Sequence, residues 1–219
     1  MRSLATAELL PPDPMTLEEW ADLDEDEPGE LVDGHLQEEE VPDNLHEAVA
    51  AWLFRMLGVW GAERRAAVFG ADHKLGVSQT RGRKPDVTMY APGTRLGRGA
   101  LSRTAPLLVV EVLSPRPRDV RRDRLDKRSE YARFGVKLYL LVDPEARVLE
   151  LYELGADGRY VLDAFASEGK MTLPGCEGLE LDLNALWAEV AWIVGDDEAE
   201  EREEPEEREA ATEGDDDVV

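Results

Sequence analysis

The sequence predicts an α/β (α+β) fold, a mixed β-sheet flanked by α-helices. Its 219 residues, 42% of them hydrophobic, are enough for one domain with a sizeable core and some surplus. Stretches of helical periodicity are separated by groups of short apolar or β-branched runs, which is the pattern of an α/β or α+β domain. The segment Leu107 to Leu113 is nearly continuous in apolar residues. Such a run marks a central strand covered on both faces.

Each element follows from its local chemistry. Thr16-Leu17-Glu18-Glu19 has capping-box spacing, so a short helix is expected through about Leu23. In Glu30 to Leu36, Asp33-Gly34 supplies the positive φ angles of a type I′ hairpin. Pro42-Asp43-Asn44 opens a long helix carrying Leu45, Val49, Trp52, Leu53, Met56 and Leu57 at helical spacing, with Gly58 to Gly61 expected to close it. Strands are expected at Ala66–Phe69, Asp72–Val77, Asp86–Tyr90 and Pro106–Leu113, with a Gly- and Arg-rich loop from Ala91 to Ala105. A helix from about Asp119 to Phe134 ends at Gly135. Lys137–Val142 is a buried strand stopped by Asp143-Pro144. Val148–Glu153 and Tyr160–Ala166 form a hairpin, and Leu181–Val190 a last amphipathic helix.

The charge is unevenly placed. Acidic residues number 49 against 25 basic, for a net charge of -24. Residues 195–219 hold 14 Asp or Glu against Arg202 and Arg208 and have almost no large apolar side chains, so they read as a disordered acidic tail. Residues 1–14 read as a flexible N-terminus and 15–194 as the folded domain. From Arg81 to Lys137 the balance reverses, with 15 Lys or Arg against 6 Asp or Glu. A global charge this negative opposes simple electrostatic binding to DNA or anionic membrane, but the basic middle is where a polyanion would be met. No apolar run approaches the ~18 residues of a membrane helix. The N-terminus lacks signal-peptide character, and the lone Cys176 excludes an internal disulfide or a Cys-cluster zinc site. A soluble cytoplasmic protein is expected.

Glu111 breaks the apolar strand. An ionised carboxylate there is costly unless it is paired, protonated or metal-bound. Asp86, after Lys84-Pro85, opens a second apolar strand. If the two strands pair antiparallel, the acids can meet at one end of the sheet, as hard oxygen ligands for Mg²⁺ or Mn²⁺. The competing reading of Glu111 is a core ion pair with Arg or Lys.

Four pieces in this order resemble the Uma-type family of putative restriction endonucleases, within the PD-(D/E)xK nuclease superfamily. They are Lys84-Pro85-Asp86-Val87, Val110-Glu111-Val112-Leu113-Ser114-Pro115, Asp123 with Lys127, Tyr131 and Gly135-Val136, and Tyr139-Leu140-Leu141-Val142-Asp143-Pro144. The Glu30–Gly34 hairpin and His46 also fit, and the likeness spans roughly Met15 to Val190. It implies a restriction-endonuclease-like core that hydrolyses phosphodiester bonds of DNA. Asp86 and Glu111 would hold the metal. The superfamily lysine two residues after the acid is Leu113 here, and Lys127 on the next helix is the candidate replacement. Asp123, Lys127 and Tyr131 share one helix face, so Lys127 is alternatively half of a surface pair. On the first reading Lys127 points into the cleft, and Lys127→Ala is expected to leave stability nearly unchanged and remove cleavage.

His46 is a candidate base or carboxylate-aligning residue, or else a packing residue of its helix. Glu30 is a candidate third carboxylate, or else a solvated hairpin acid. Arg81, Arg83, Lys84, Arg116, Arg118, Arg121 and Arg124 are expected to touch backbone phosphates. His35 and His73 read as surface residues, and Tyr131, Tyr139 and the tryptophans as core. A homodimer would let the enzyme cut both strands. The alternative function is a catalytically inactive nuclease-like fold that binds nucleic acid or protein.

Overall fold

Thr16 caps the first helix, α1 (Leu17–Ala21), and the capping box with Glu19 is formed in both directions. In this computed structural model, residues 14–23, 29–37, 41–114 and 126–194 are described. The hairpin β1 (Glu30–Val32) and β2 (His35–Gln37) turns through Asp33 and Gly34 at φ 51° and 80°, as the Asp-Gly pair requires. Asp43 caps α2 (Asn44–Arg64). This helix does not close at Gly58 to Gly61. It runs three residues further and ends on Arg65 in the left-handed region. Gly61 is a packing residue, not a terminator: a Cβ there would lie 2.8 Å from the Ala66 carbonyl oxygen.

The central sheet has six strands in the order β11-β10-β9-β8-β6-β3. These are β3 (Val68–Phe69), β6 (Val87–Met89), β8 (Leu108–Val112), β9 (Leu138–Asp143), β10 (Val148–Leu154) and β11 (Tyr160–Ala166). β8 and β9 are parallel and every other pair is antiparallel, so the sheet is mixed. A parallel pair needs a crossover, and the segment that supplies it contains α3 (Arg128–Phe134), closed by Gly135 at φ 95°. A second sheet orders β2-β1-β5-β4-β7, adding β4 (Lys74–Gly76), β5 (Gly82–Arg83) and β7 (Leu101–Ser102). β7 falls in the segment expected to be loop. A small pair, β12 (Lys170–Thr172) and β13 (Glu180–Asp182), precedes α4 (Leu183–Val194). Leu181 therefore belongs to a strand, and the last helix starts later and runs longer than its periodicity suggests.

The six-stranded sheet carries a core on each face. Val87, Met89, Val110, Val112, Leu140 and Val142 pack with Val49, Leu53 and Leu57 of α2 and with Leu186 of α4. Val109, Leu113, Tyr139 and Leu141 face the other way and pack with Tyr131 of α3. Strand alternation puts Glu111 on this second face, beneath α3. Trp20, Trp52, Trp60 and Trp187 are buried, whereas Trp192 is 84% exposed, against its expected core position. His35 is exposed. His73 is not a plain surface residue: it stacks on Phe69 at 4.2 Å and lies 2.9 Å from the Tyr90 hydroxyl. The expected N-terminal flexibility and acidic tail, and the start of the helix before α3, lie outside the described residues. No helix among the described residues is long and apolar enough to cross a membrane.

Candidate active site

Glu111 is 2% exposed, in the middle of the sheet. Its two oxygens are held from α3 and from the residue just before it. The Tyr131 hydroxyl donates to Oε1 at 2.6 Å and Lys127 Nζ to Oε2 at 2.9 Å. Lys127 also lies 3.3 Å from Glu30 Oε1. Lys127 is only 4% exposed. This corrects the surface-pair reading. Its four-carbon stem and ammonium sit inside the protein because two carboxylates await it there.

Glu30, at 1% exposure, is likewise not a solvated hairpin acid. Its Oε2 accepts Arg83 Nη1 at 2.6 Å, and its Oε1 accepts the Lys84 amide at 3.1 Å. Arg83 turns the rest of its guanidinium to Glu130, with Nε to Oε2 at 2.7 Å and Nη2 to Oε1 at 2.9 Å. Arg81 covers Glu130 from outside and pairs with Asp33 at the surface. A continuous ionic chain thus runs Asp33, Arg81, Glu130, Arg83, Glu30, Lys127, Glu111. It borders a cleft of about 530 Å³ lined by Asp33, Arg81, Asp126, Glu130 and Arg133 among others.

Asp86 stands one position beyond the Val87–Val110 pairing of β6 with β8, which puts it across from Glu111 in register. Its Oδ2 accepts the Val112 amide at 2.7 Å and lies 3.4 Å from His46 Nε2 on α2. Its Oδ1 has no partner among the described residues. The two acids therefore flank the end of β8, Glu111 held from α3 and Asp86 in contact with α2. His46 is buried, and its Nδ1 has no hydrogen-bond partner among the described residues. Burial works to lower its pKa, but the hydrogen bond and charge of Asp86 outweigh burial and raise it.

The same competition acts on the other side of the strand. Burial alone would raise the Glu30 pKa, but the charges of Lys127 and Arg83 prevail and bring it down to about 2. Burial, reinforced by the Glu111 and Glu30 charges, holds the Tyr131 hydroxyl well above its usual range. The phenol therefore stays a donor. The depressed Glu30 pKa stabilises the folded state above the ordinary value of 4.5, and that contribution is lost as pH falls through about 2. Wild-type Tm should thus fall from about pH 5 downward, and Glu30→Gln should flatten that limb of the curve. An identical acid limb in Glu30→Gln would contradict this.

The basic residues are placed less uniformly than their sequence suggests. Arg83, expected at the surface against phosphates, is 1% exposed with its nitrogens committed to carboxylates. Arg81 is partly exposed but held by Asp33 and Glu130. Lys84 lies 3.5 Å from Asp72. Arg95 and Arg98 are exposed on the following loop. Arg116, Arg118, Arg121 and Arg124, and Asp123, lie outside the described residues. Sequence reasoning missed Glu130, the structural place of Arg83, and the contact of Tyr131. For Tyr131 a signal existed, since it sits one turn from Lys127 on the same face.

Residues 15–186 match the Uma2 sequence family, described as "Putative restriction endonuclease". The chain belongs to that family. Its fold is similar to the crystal structure of a putative nuclease belonging to DUF820 from Anabaena variabilis ATCC 29413. The TM-score is 0.64 at 19% identity, covering 81% of this chain and 99% of that one. At that identity the likeness establishes the shared fold. No curated protein matches. The family's matched span contains Glu30, Glu111 and Lys127, which are in contact beneath α3, and His46 and Asp86, which are in contact beside α2.

Proposed function

We propose that this member of the Uma2 family is an endonuclease that hydrolyses phosphodiester bonds of DNA with Mg²⁺ or Mn²⁺, acting in the cytoplasm. The observation that carries the reading is Glu111, a carboxylate buried at a strand end with an ammonium on one oxygen and Asp86 at the facing register position. Asp86 and Glu111 are hard oxygen donors of the kind a divalent cation takes. Mg²⁺ binds through one or two carboxylates and keeps several waters, and Asp86 has one oxygen without a partner among the described residues. Among those residues no group of three or more His, Cys, Asp or Glu surrounds one point, so Asp86 and Glu111 would hold the ion with water and substrate phosphate. When bound, it would supply an activated water and neutralise charge at the phosphate.

The chain's own groups have separate tasks. Lys127, fixed in a dry setting, sets a positive charge where negative charge develops on the phosphate oxygens. Tyr131 donates to Glu111 and holds its plane. His46 keeps the neighbouring Asp86 carboxylate oriented. In the reaction water oxygen bonds to phosphorus while the bond to the sugar oxygen breaks, and that oxygen leaves with the electron pair and takes up a proton. A homodimer would bring two such sites to the two strands.

The second reading, an inactive nuclease-like binding module, is favoured by Leu113, which is buried and apolar where the superfamily places its lysine. Supercoiled plasmid incubated with millimolar Mg²⁺ or Mn²⁺ separates the two. Nicked or linear product, absent with EDTA, is expected. The same metals should raise Tm, because a ligand that binds only the folded state stabilises it, by about 2.7 kcal/mol at a hundred times Kd. Intact plasmid together with an unchanged Tm would favour the binding module.

A further inference from the structure

Three carboxylates and two cations are buried together beneath α3: Glu30, Glu111, Glu130, Arg83 and Lys127. Buried ion pairs are a poor means of gaining stability, since apolar residues of equal volume often do as well or better. The arrangement has instead a geometric output, the position of Lys127 Nζ. That nitrogen lies 2.9 Å from Glu111 and 3.3 Å from Glu30. Loss of the carboxylate at the Glu30 position would remove one of the charges that hold it there.

We infer that Arg83 is a positioning residue: clamped by Glu130, its guanidinium fixes the Glu30 carboxylate that sets where the Lys127 ammonium stands. Both oxygens of Glu30 are spoken for, Oε2 by Arg83 and Oε1 by the Lys84 amide and Lys127. Arg83 spans two carboxylates with three nitrogens in one rigid plane. A lysine, as a point charge, holds one of them at a time. Glu130 lies one turn beyond Lys127, on the same α3 segment, so the clamp and the ammonium move together. Arg81, tied to Asp33, closes the outer side of Glu130 against water. What the ammonium then does rests on the proposed nuclease activity; where it stands does not.

The test uses the full chain and two variants, Arg83→Lys and Glu130→Gln. Three readouts apply: thermal melting, the nitrogen NMR signal of the Lys127 ammonium, and kcat and KM on supercoiled plasmid with Mg²⁺. Folded Arg83→Lys should shift or broaden the Lys127 signal and lower kcat at least ~10-fold, since small displacements of a catalytic group are costly. KM should stay within about two-fold, because substrate binding is untouched. Glu130→Gln should give the same pattern more weakly. An unmoved Lys127 signal with unchanged kcat in either folded variant would overturn the inference. If wild type does not cut plasmid but the Lys127 signal moves in Arg83→Lys, the nuclease reading fails and the positioning role stands. If Arg83→Lys does not fold, Glu130→Gln decides by the same readouts.

Discussion

Lys127→Ala should lose both stability and cleavage. Removing the ammonium leaves Glu30 and Glu111, each under 3% exposed, as buried carboxylates with their shared cation gone. Breaking a buried pair from one side costs about 3–5 kcal/mol. For a domain of this size that lowers Tm on the order of 10 °C. The cost comes from uncompensated charge, so it should shrink when charge is rebalanced. The double variant Lys127→Met with Glu30→Gln should recover much of the lost stability. It should recover no cleavage, because the positive charge near the phosphate is still missing. Urea melts of wild type, the single variant and the double variant, run beside plasmid assays, separate the two effects. A single variant that melts like wild type would show that the ammonium is not buried as described. Cleavage restored in the double variant would remove Lys127 from the chemistry.

This expectation reverses what helix spacing alone suggests, and the reason bears on how the sequence can be read. Local chemistry was legible wherever a short-range rule governed it. The Thr16–Glu19 capping box, the Asp33–Gly34 turn and the apolar run around β8 each state their structure within a few residues. Strands of two or three residues, such as β5, β7, β12 and β13, have no period to detect. Glu111 was visible because a charge in an apolar strand is an inconsistency that demands a partner. Its partner Lys127 needed the family resemblance, since nothing local joins a strand residue to the following helix. Arg83 and Glu130 were invisible for a deeper reason. Arg83 lies in a basic run and reads as surface, and its burial depends on Glu30 and Glu130, which lie far away in sequence. Ionic networks closed over such distances leave no periodic trace.

Asp86→Asn should abolish cleavage while leaving the fold nearly intact. Asparagine keeps an oxygen acceptor for the Val112 amide, which Asp86 now holds at 2.7 Å, so the end of β8 stays capped. The substitution removes the charge, and with it the hard anionic donor that a divalent cation requires. Stability should change by no more than about 1 kcal/mol, the scale of a single neutral hydrogen bond. Asp86→Ala is the harsher comparison. It leaves the buried Val112 amide unsatisfied and should cost a further ~1–3 kcal/mol. Loss of metal-assisted charge stabilisation, worth several kcal/mol, corresponds to a rate loss of at least ~10²-fold in both variants. The two roles of Asp86 are thus separable. If it were only a strand-end cap, Asn would behave as wild type and Ala would merely melt earlier. If it is a metal ligand, Asn melts like wild type, cuts no plasmid, and no longer gains Tm from Mg²⁺ or Mn²⁺. Plasmid cleavage at the wild-type rate by Asp86→Asn would leave the cap as its whole function and move the metal site elsewhere.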